Sequence, residues 1–72
     1  MMENESLYSL DPSRVRGRIR DLDLKHWWVA EEAGVHKTTL RRWLSGRITR
    51  VRGDHVSALA RVLETDDSEL LR

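Results

Sequence analysis

Apolar residues recur at helical spacing along most of the chain. Val15, Ile19 and Leu22 fall at i, i+4 and i+7, the spacing of one buried stripe. Asp11 and Pro12 stand just before them, a capping carboxylate followed by a residue tolerated in the first turn. This predicts a first helix over about residues 12–22. Val29, Ala30 and Ala33 keep helical register up to Gly34, predicting a short second helix over about 26–33. Leu40, Trp43 and Leu44 fall at i, i+3 and i+4, predicting a third over about 37–45 that Gly46 stops. Val56, Leu59, Ala60 and Leu63 repeat the pattern over about 54–64. Asp66 with Glu69 three residues on predicts a capped final turn carrying Leu70 and Leu71. No stretch alternates in strand fashion for long, and no repeat or low-complexity tract interrupts the chain.

The pattern therefore predicts an all-α, compact bundle of four to five short helices over residues 11–72. Residues 1–10 show no period and read as a flexible acidic arm, with Leu7, Tyr8 and Leu10 as its contact points. Between the third and fourth helices, residues 47–52 read as a basic connector anchored by Ile48 and Val51. Trp27 and Trp28 are adjacent, and neighbours on a helix diverge by about 100°. One of them should cap the core while the other stays partly exposed.

Size limits what such a bundle can do. A 72-residue chain is one small domain, with about 3–5 kcal/mol of net stability from its core and little room for a catalytic cleft. It has no cysteine, hence no disulfide and no thiolate metal site. His26, His36 and His55 form no close ligand pair, so neither metal nor cofactor is expected. Thr38, Thr39 and Ser45 lack the base and oxyanion arrangement of a nucleophilic enzyme. The longest apolar run, Trp27 to Ala30, is far short of the roughly 20 residues of a membrane span, and the polar start lacks a signal peptide's regions. A cytoplasmic chain with no membrane partner is expected, and no pattern suggests a small-molecule ligand.

Charge sharpens the picture. The net +1 conceals regional balances of −3 over residues 1–11, +7 over 12–52 and −3 over 53–72. Most of the cations are Arg, whose planar fork suits phosphate and guanine edges. On the third helix Thr38, Arg41, Arg42 and Ser45 oppose the apolar stripe, with Lys37 beside them. That face contains donors and no carboxylate, whereas a merely solvated face usually mixes signs. Like charges at Lys37 and Arg41 cost a few tenths of a kcal/mol, about 0.2–0.5, which a bound polyanion offsets. The arginines of the first helix, Arg14, Arg16, Arg18 and Arg20, suit phosphates and pairing with Asp21, Asp23 or the acidic termini equally well.

The run Val29-Ala30, Ala33-Gly34-Val35, Leu40 and Trp43 resembles the helix-turn-helix of the lambda-repressor-like, Cro-type family. Ala30 is small where two helices cross, Gly34 makes the turn, and Val35, Leu40 and Trp43 lock the second helix of the pair. The similarity extends from about Val15 to Leu71, and the segment VSALARVLETDDSELL looks like the family's last two helices. Lys25 and His36 depart from the family's usual capping Ser or Thr and are poor caps. Gly53 and Thr65 stand where apolar residues are usual.

The resemblance implies a transcriptional regulator whose third helix enters the major groove of double-stranded DNA. His36, Lys37, Thr38, Arg41 and Arg42 would read bases. His26, Ser45, Arg47, Arg50 and Arg52 would hold phosphates. It further implies a homodimer on a palindromic operator, with reading helices about 34–36 Å apart. A partner surface would come from Trp27, Trp28, Leu70 and Leu71, or from the arm. The alternatives are a protein-interaction adaptor using the tryptophan surface and the antitoxin partner of a toxin.

Overall fold

The computed structural model describes residues 5–72. Strand β1 (Leu7–Ser9) leads into α1 (Pro12–Asp21), α2 (His26–Ala33) and α3 (Lys37–Leu44). Strand β2 (Arg50–Arg52), α4 (Gly53–Val62) and a closing 3-10 turn (Asp67–Leu70) follow. The chain is an all-α bundle of four helices, as its periodicity predicts, with a minor two-stranded sheet added.

The helix starts and stops have local causes. Asp11 caps α1, its carboxylate accepting from the N–H of Ser13 at 3.0 Å and of Arg14 at 3.3 Å, and Pro12 fills the first turn. The first, second and fourth helices end alike. A left-handed residue (Asp23, φ 54; Gly34, φ 75; Glu64, φ 56) turns the chain, and the next N–H reaches back to a carbonyl of the last turn. Those bonds are Leu24 to Ile19, Val35 to Ala30 and Thr65 to Ala60, each 3.0 Å. Thr65 thus closes its turn through the backbone, with no apolar side chain required. The capping box expected at Asp66 does not form: no side chain caps the closing turn, and the Asp67 carboxylate accepts instead from Ser57 Oγ at 2.6 Å.

One core joins every element. Val15, Ile19, Val29, Ala30, Leu40, Trp43, Val56, Leu59 and Leu63 are buried, as their spacing predicts. Leu10 and Leu70 are also fully buried, which corrects two readings. Residues 7–10 are not a loose arm. Tyr8 and Leu10 alternate inward from Leu7 and Ser9, and β1 pairs antiparallel with β2 in the register Leu7 with Arg52, Tyr8 with Val51 and Ser9 with Arg50. The N–H of Leu10 donates to Thr49 O at 2.8 Å and that of Gly53 to Ser6 O at 2.9 Å. On the other edge of the strand, Leu10 bridges to Leu71, and Arg72 N–H donates to Ser9 O at 3.1 Å. The first part of the expected arm, residues 1–4, lies outside the described residues.

The second half of the basic connector is likewise a strand. Val51 is buried between exposed Arg50 and Arg52, whereas Ile48, expected to anchor it, stays 39% exposed.

Two α1 arginines tie helices together through backbone carbonyls. Arg16 Nη1 donates to Leu44 O at the end of α3. Arg18 donates to Leu63 O at 2.8 Å from Nη2 and 3.2 Å from Nε, and to Glu64 O at 3.1 Å. These cations satisfy the last carbonyls of α3 and α4 and oppose the negative ends of the helix dipoles. Among the described residues, Arg14 is the one α1 arginine that meets a carboxylate, that of Asp11 at 3.6 Å. Arg18→Ala should lower stability by about 1–2 kcal/mol, since it strands partly buried carbonyls. Arg20→Ala, at an exposed position, should change it by less than about 0.5 kcal/mol. Urea denaturation of the two variants checks the contrast.

Candidate nucleic-acid interface

The turn between α2 and α3 is three residues long. Gly34 takes the left-handed conformation that only a residue without Cβ adopts freely. Val35 packs against the core. His36, expected to cap poorly, does cap α3: its Nδ1 accepts from the N–H of Thr38 at 3.0 Å. An imidazole nitrogen with a free lone pair satisfies one orphan donor as a Ser hydroxyl would. His36 itself is exposed. Lys25 makes no side-chain cap at the start of α2.

α3 has a rigid back and an open front. Leu40, Trp43 and Leu44 are buried, with Trp43 stacking obliquely against His55 at 5.5 Å between ring centres. Arg16 holds the carbonyl of Leu44. On α3, Lys37, Arg41 and Arg42 are exposed and Thr38 is half-buried, while His36, the remaining member of the proposed base-reading set, is exposed at the N-cap. Among the described residues, none of these three cations meets a carboxylate.

The proposed phosphate-holding set is less uniform. His26, at the start of α2, is exposed. Arg47 and Arg50 are exposed and, among the described residues, have no acidic partner. Arg52 is engaged: Nη2 contacts Asp54 Oδ2 at 2.8 Å, because both lie at the junction of β2 and α4. Ser45 Oγ donates to Arg42 O at 3.1 Å and accepts from Arg47 N–H at 3.4 Å, shaping the turn after α3 and leaving one lone pair outward. Gly46, at φ 79, completes that turn, and Arg47 after it is exposed.

The partner surface also changes. Leu70 belongs to the core, and Leu71 is half-buried against it, because the closing turn docks on α1: Asp11 N–H donates to Leu70 O at 2.8 Å. The tryptophans do not divide as expected. Trp27 is 60% and Trp28 37% exposed. Val29, Ala30 and Ala33 face inward on the eight-residue α2, and both first-turn positions rotate away from that stripe.

Sequence reasoning missed the clamping roles of Arg16 and Arg18. Their acceptors are backbone carbonyls 28 and 45–46 residues away, which no residue type advertises. It also missed the strand carrying Arg50, whose partner is three residues long.

Among the described residues, no helix is long and apolar enough to cross a membrane. No curated protein sequence matches this one. Among solved structures, the fold superposes on the P22 c2 repressor in complex with a synthetic operator, with a TM-score of 0.77 and 23% identity over 85% of this chain and 91% of that one. It also superposes on the DNA-binding domain of that repressor in solution, at 0.76 and 21% identity over 93% and 82%. A third similar structure is PhpD with cadmium, at 0.73 and 23% identity. That match covers 89% of this chain but spans 13% of the PhpD chain, so the same small unit also occurs inside a much longer protein. A family model described as a helix-turn-helix domain matches residues 14–72, and the chain belongs to that family.

Proposed function

We propose that this chain is a sequence-specific binder of double-stranded DNA that regulates transcription, a binding module and not an enzyme. The observation that carries the reading is the acid-free row Lys37, Arg41 and Arg42, exposed on a helix whose opposite side is buried. Inserted into a major groove, that row meets base edges while Arg47, Arg50 and His26 lie toward the flanking phosphates. Arg42 or Arg41, bidentate on guanine, contributes about 1–3 kcal/mol of discrimination. His36 offers its Nε2 edge beside Thr38. Arg52 plays a smaller part because Asp54 already neutralises it. The resemblance in fold to the P22 c2 repressor supports this reading, and that protein has been seen on an operator.

In this reading the chain acts in the cytoplasm as a homodimer on a palindromic site, repressing or acting as an antitoxin. Selection of bound sequences from a random duplex pool tests it. A palindromic enriched site, with half-sites one helical turn apart, supports both specificity and dimeric use. Random recovery removes the specificity. Arg42→Ala should then flatten preference at one position of each half-site, while Arg50→Ala should weaken all duplexes alike. Equal, sequence-blind losses from both would take the reading role away from Arg42.

A second reading, a protein-interaction adaptor, rests on the exposure of Trp27 and Trp28. A chain that binds no duplex even at low salt favours it.

A further inference from the structure

Ser9 stands in the middle of a row of three residues. Across one edge of β1 it pairs with Arg50 of β2, and on the other edge its carbonyl accepts the Arg72 N–H at 3.1 Å. Leu10 repeats the arrangement, donating to Thr49 O at 2.8 Å on one side and bridging to Leu71 on the other. We infer that residues 70–72, by completing this row, position Arg50 for a phosphate and so set duplex affinity from the far edge of the sheet. The inference rests on the DNA-binding reading above and adds to it a positioning role for a segment outside the base-reading and phosphate-holding sets.

Strand physics makes β2 depend on this segment. Two paired strands alone are marginal in water, and a third makes the pairing persist. β1 and β2 are three residues each, and no short turn joins them. The ends of β2 are held differently. At Arg52 the strand runs directly into α4, whose first residue, Gly53, donates to Ser6 O at 2.9 Å. Val51, in the middle, is buried. Arg50 lies at the other end, after the loop from α3, and its support across the sheet is Ser9 and Leu10. Those are the two residues that Arg72 and Leu71 meet on the opposite edge. Residues 71 and 72 are fixed in turn by Leu70, which is fully buried and accepts the Asp11 N–H at 2.8 Å.

Arg50 has no side-chain anchor of its own. It is exposed, and among the described residues it meets no carboxylate, so the backbone beneath it sets where the guanidinium reaches. A segment that steadies that backbone acts on phosphate binding without touching DNA.

The test uses the full chain, the best duplex recovered from the random pool and a scrambled duplex. Arg72→Pro removes the N–H that Ser9 accepts. Leu71, at φ −104 and ψ 155, already has the extended backbone that a residue before proline adopts, so the substitution adds no strain there. Arg72→Pro should weaken both duplexes by the same factor, about two- to tenfold, the range that one net backbone hydrogen bond is worth. The salt slope should become shallower by up to about 0.9, as the Arg50 contact is lost. Arg72→Ala keeps the N–H and removes only the cation, and it should bind within about twofold of the parent. In an Arg50→Ala background, Arg72→Pro should cost nothing further, because the residue it positions is gone. Without DNA, amide hydrogen exchange in Arg72→Pro should quicken at Leu10 and match the parent at Val35, whose bond to Ala30 O lies in the α2–α3 turn.

Parent-like binding by Arg72→Pro, or unchanged exchange at Leu10, shows that β1 does not depend on residue 72, and the inference falls while the DNA-binding reading stands. An equal loss in Arg72→Ala makes the guanidinium itself a DNA contact and overturns the positioning role. A further loss in the Arg50→Ala background places the effect in the whole domain and overturns it too. Failure of the parent to bind any duplex overturns the DNA-binding reading itself, and this inference with it.

Discussion

Raising salt from about 50 to about 200 mM should weaken duplex binding about five-hundredfold for each chain engaged. Lys37, Arg41, Arg42, Arg47 and Arg50 are exposed and, among the described residues, have no acidic partner. If each cation displaces counterions as a phosphate contact does, whether it meets a phosphate or a base edge in the groove, the log–log slope is about −4.5, from about 0.9 counterions released per cation. The structure excludes some arginines from that count. Arg16 and Arg18 are committed to carbonyls and Arg52 to Asp54. If every cation between residues 14 and 52 took part, the slope would be about twice as steep. Fluorescence anisotropy across a salt series checks the number. Binding that ignores salt would sink the DNA reading, and a doubled slope would show that the intramolecular arginine contacts give way to phosphates.

Leu10→Ala should largely unfold the domain at physiological temperature. The side chain is fully buried, and removing a buried leucine typically costs about 2–5 kcal/mol. A core of this size supplies only about 3–5 kcal/mol in total. Leu7→Ala, three positions earlier at a half-exposed site, should shift stability by less than about 0.5 kcal/mol. Thermal denaturation followed by circular dichroism separates the two. If residues 7–10 were a detached arm, both substitutions would be neutral. The result bears on binding as well: Leu10 holds Thr49 through its backbone, and Arg50 follows directly on that residue. Loosening β1 therefore releases the strand that presents Arg50, a phosphate contact in the proposed reading.

These two expectations mark where the sequence was legible and where it was not. The helices could be read because each carries its own signal. Val15 with Ile19, Leu40 with Trp43, and Val56 with Leu59 sit on faces fixed by 3.6-residue geometry. The α2–α3 turn could be read because Gly34 needs no neighbour to explain it. The cationic front of α3 could be read because an apolar stripe defines its opposite.

The strands could not be read, because three residues are too few to show a period of two. Leu10 enters the core through pairing with segments about 40 and 60 residues away. Leu70 looked like a surface residue because a terminal turn has no visible partner until it folds back on α1. The resemblance groups Arg52 with Arg47 and Arg50 as a phosphate contact. Its proximity to Asp54 in sequence was visible, but that the two side chains meet depends on the bend between β2 and α4. His36 was underrated as a cap because propensity averages over side-chain conformers, whereas one rotamer of an imidazole suffices.

The arrangement of β1 between β2 and the residues after the closing turn sets an order of assembly on the ribosome. Residues 7–10 leave the exit tunnel first but cannot pair until residues 49–52 follow, some two to eight seconds later at about 5–20 residues per second. The bond from Arg72 to Ser9 must wait longer still. During that interval α1, α2 and α3 can make their mutual contacts, while Leu10 has no finished core to enter. The nascent chain thus carries α3 before it carries the strand that closes the domain.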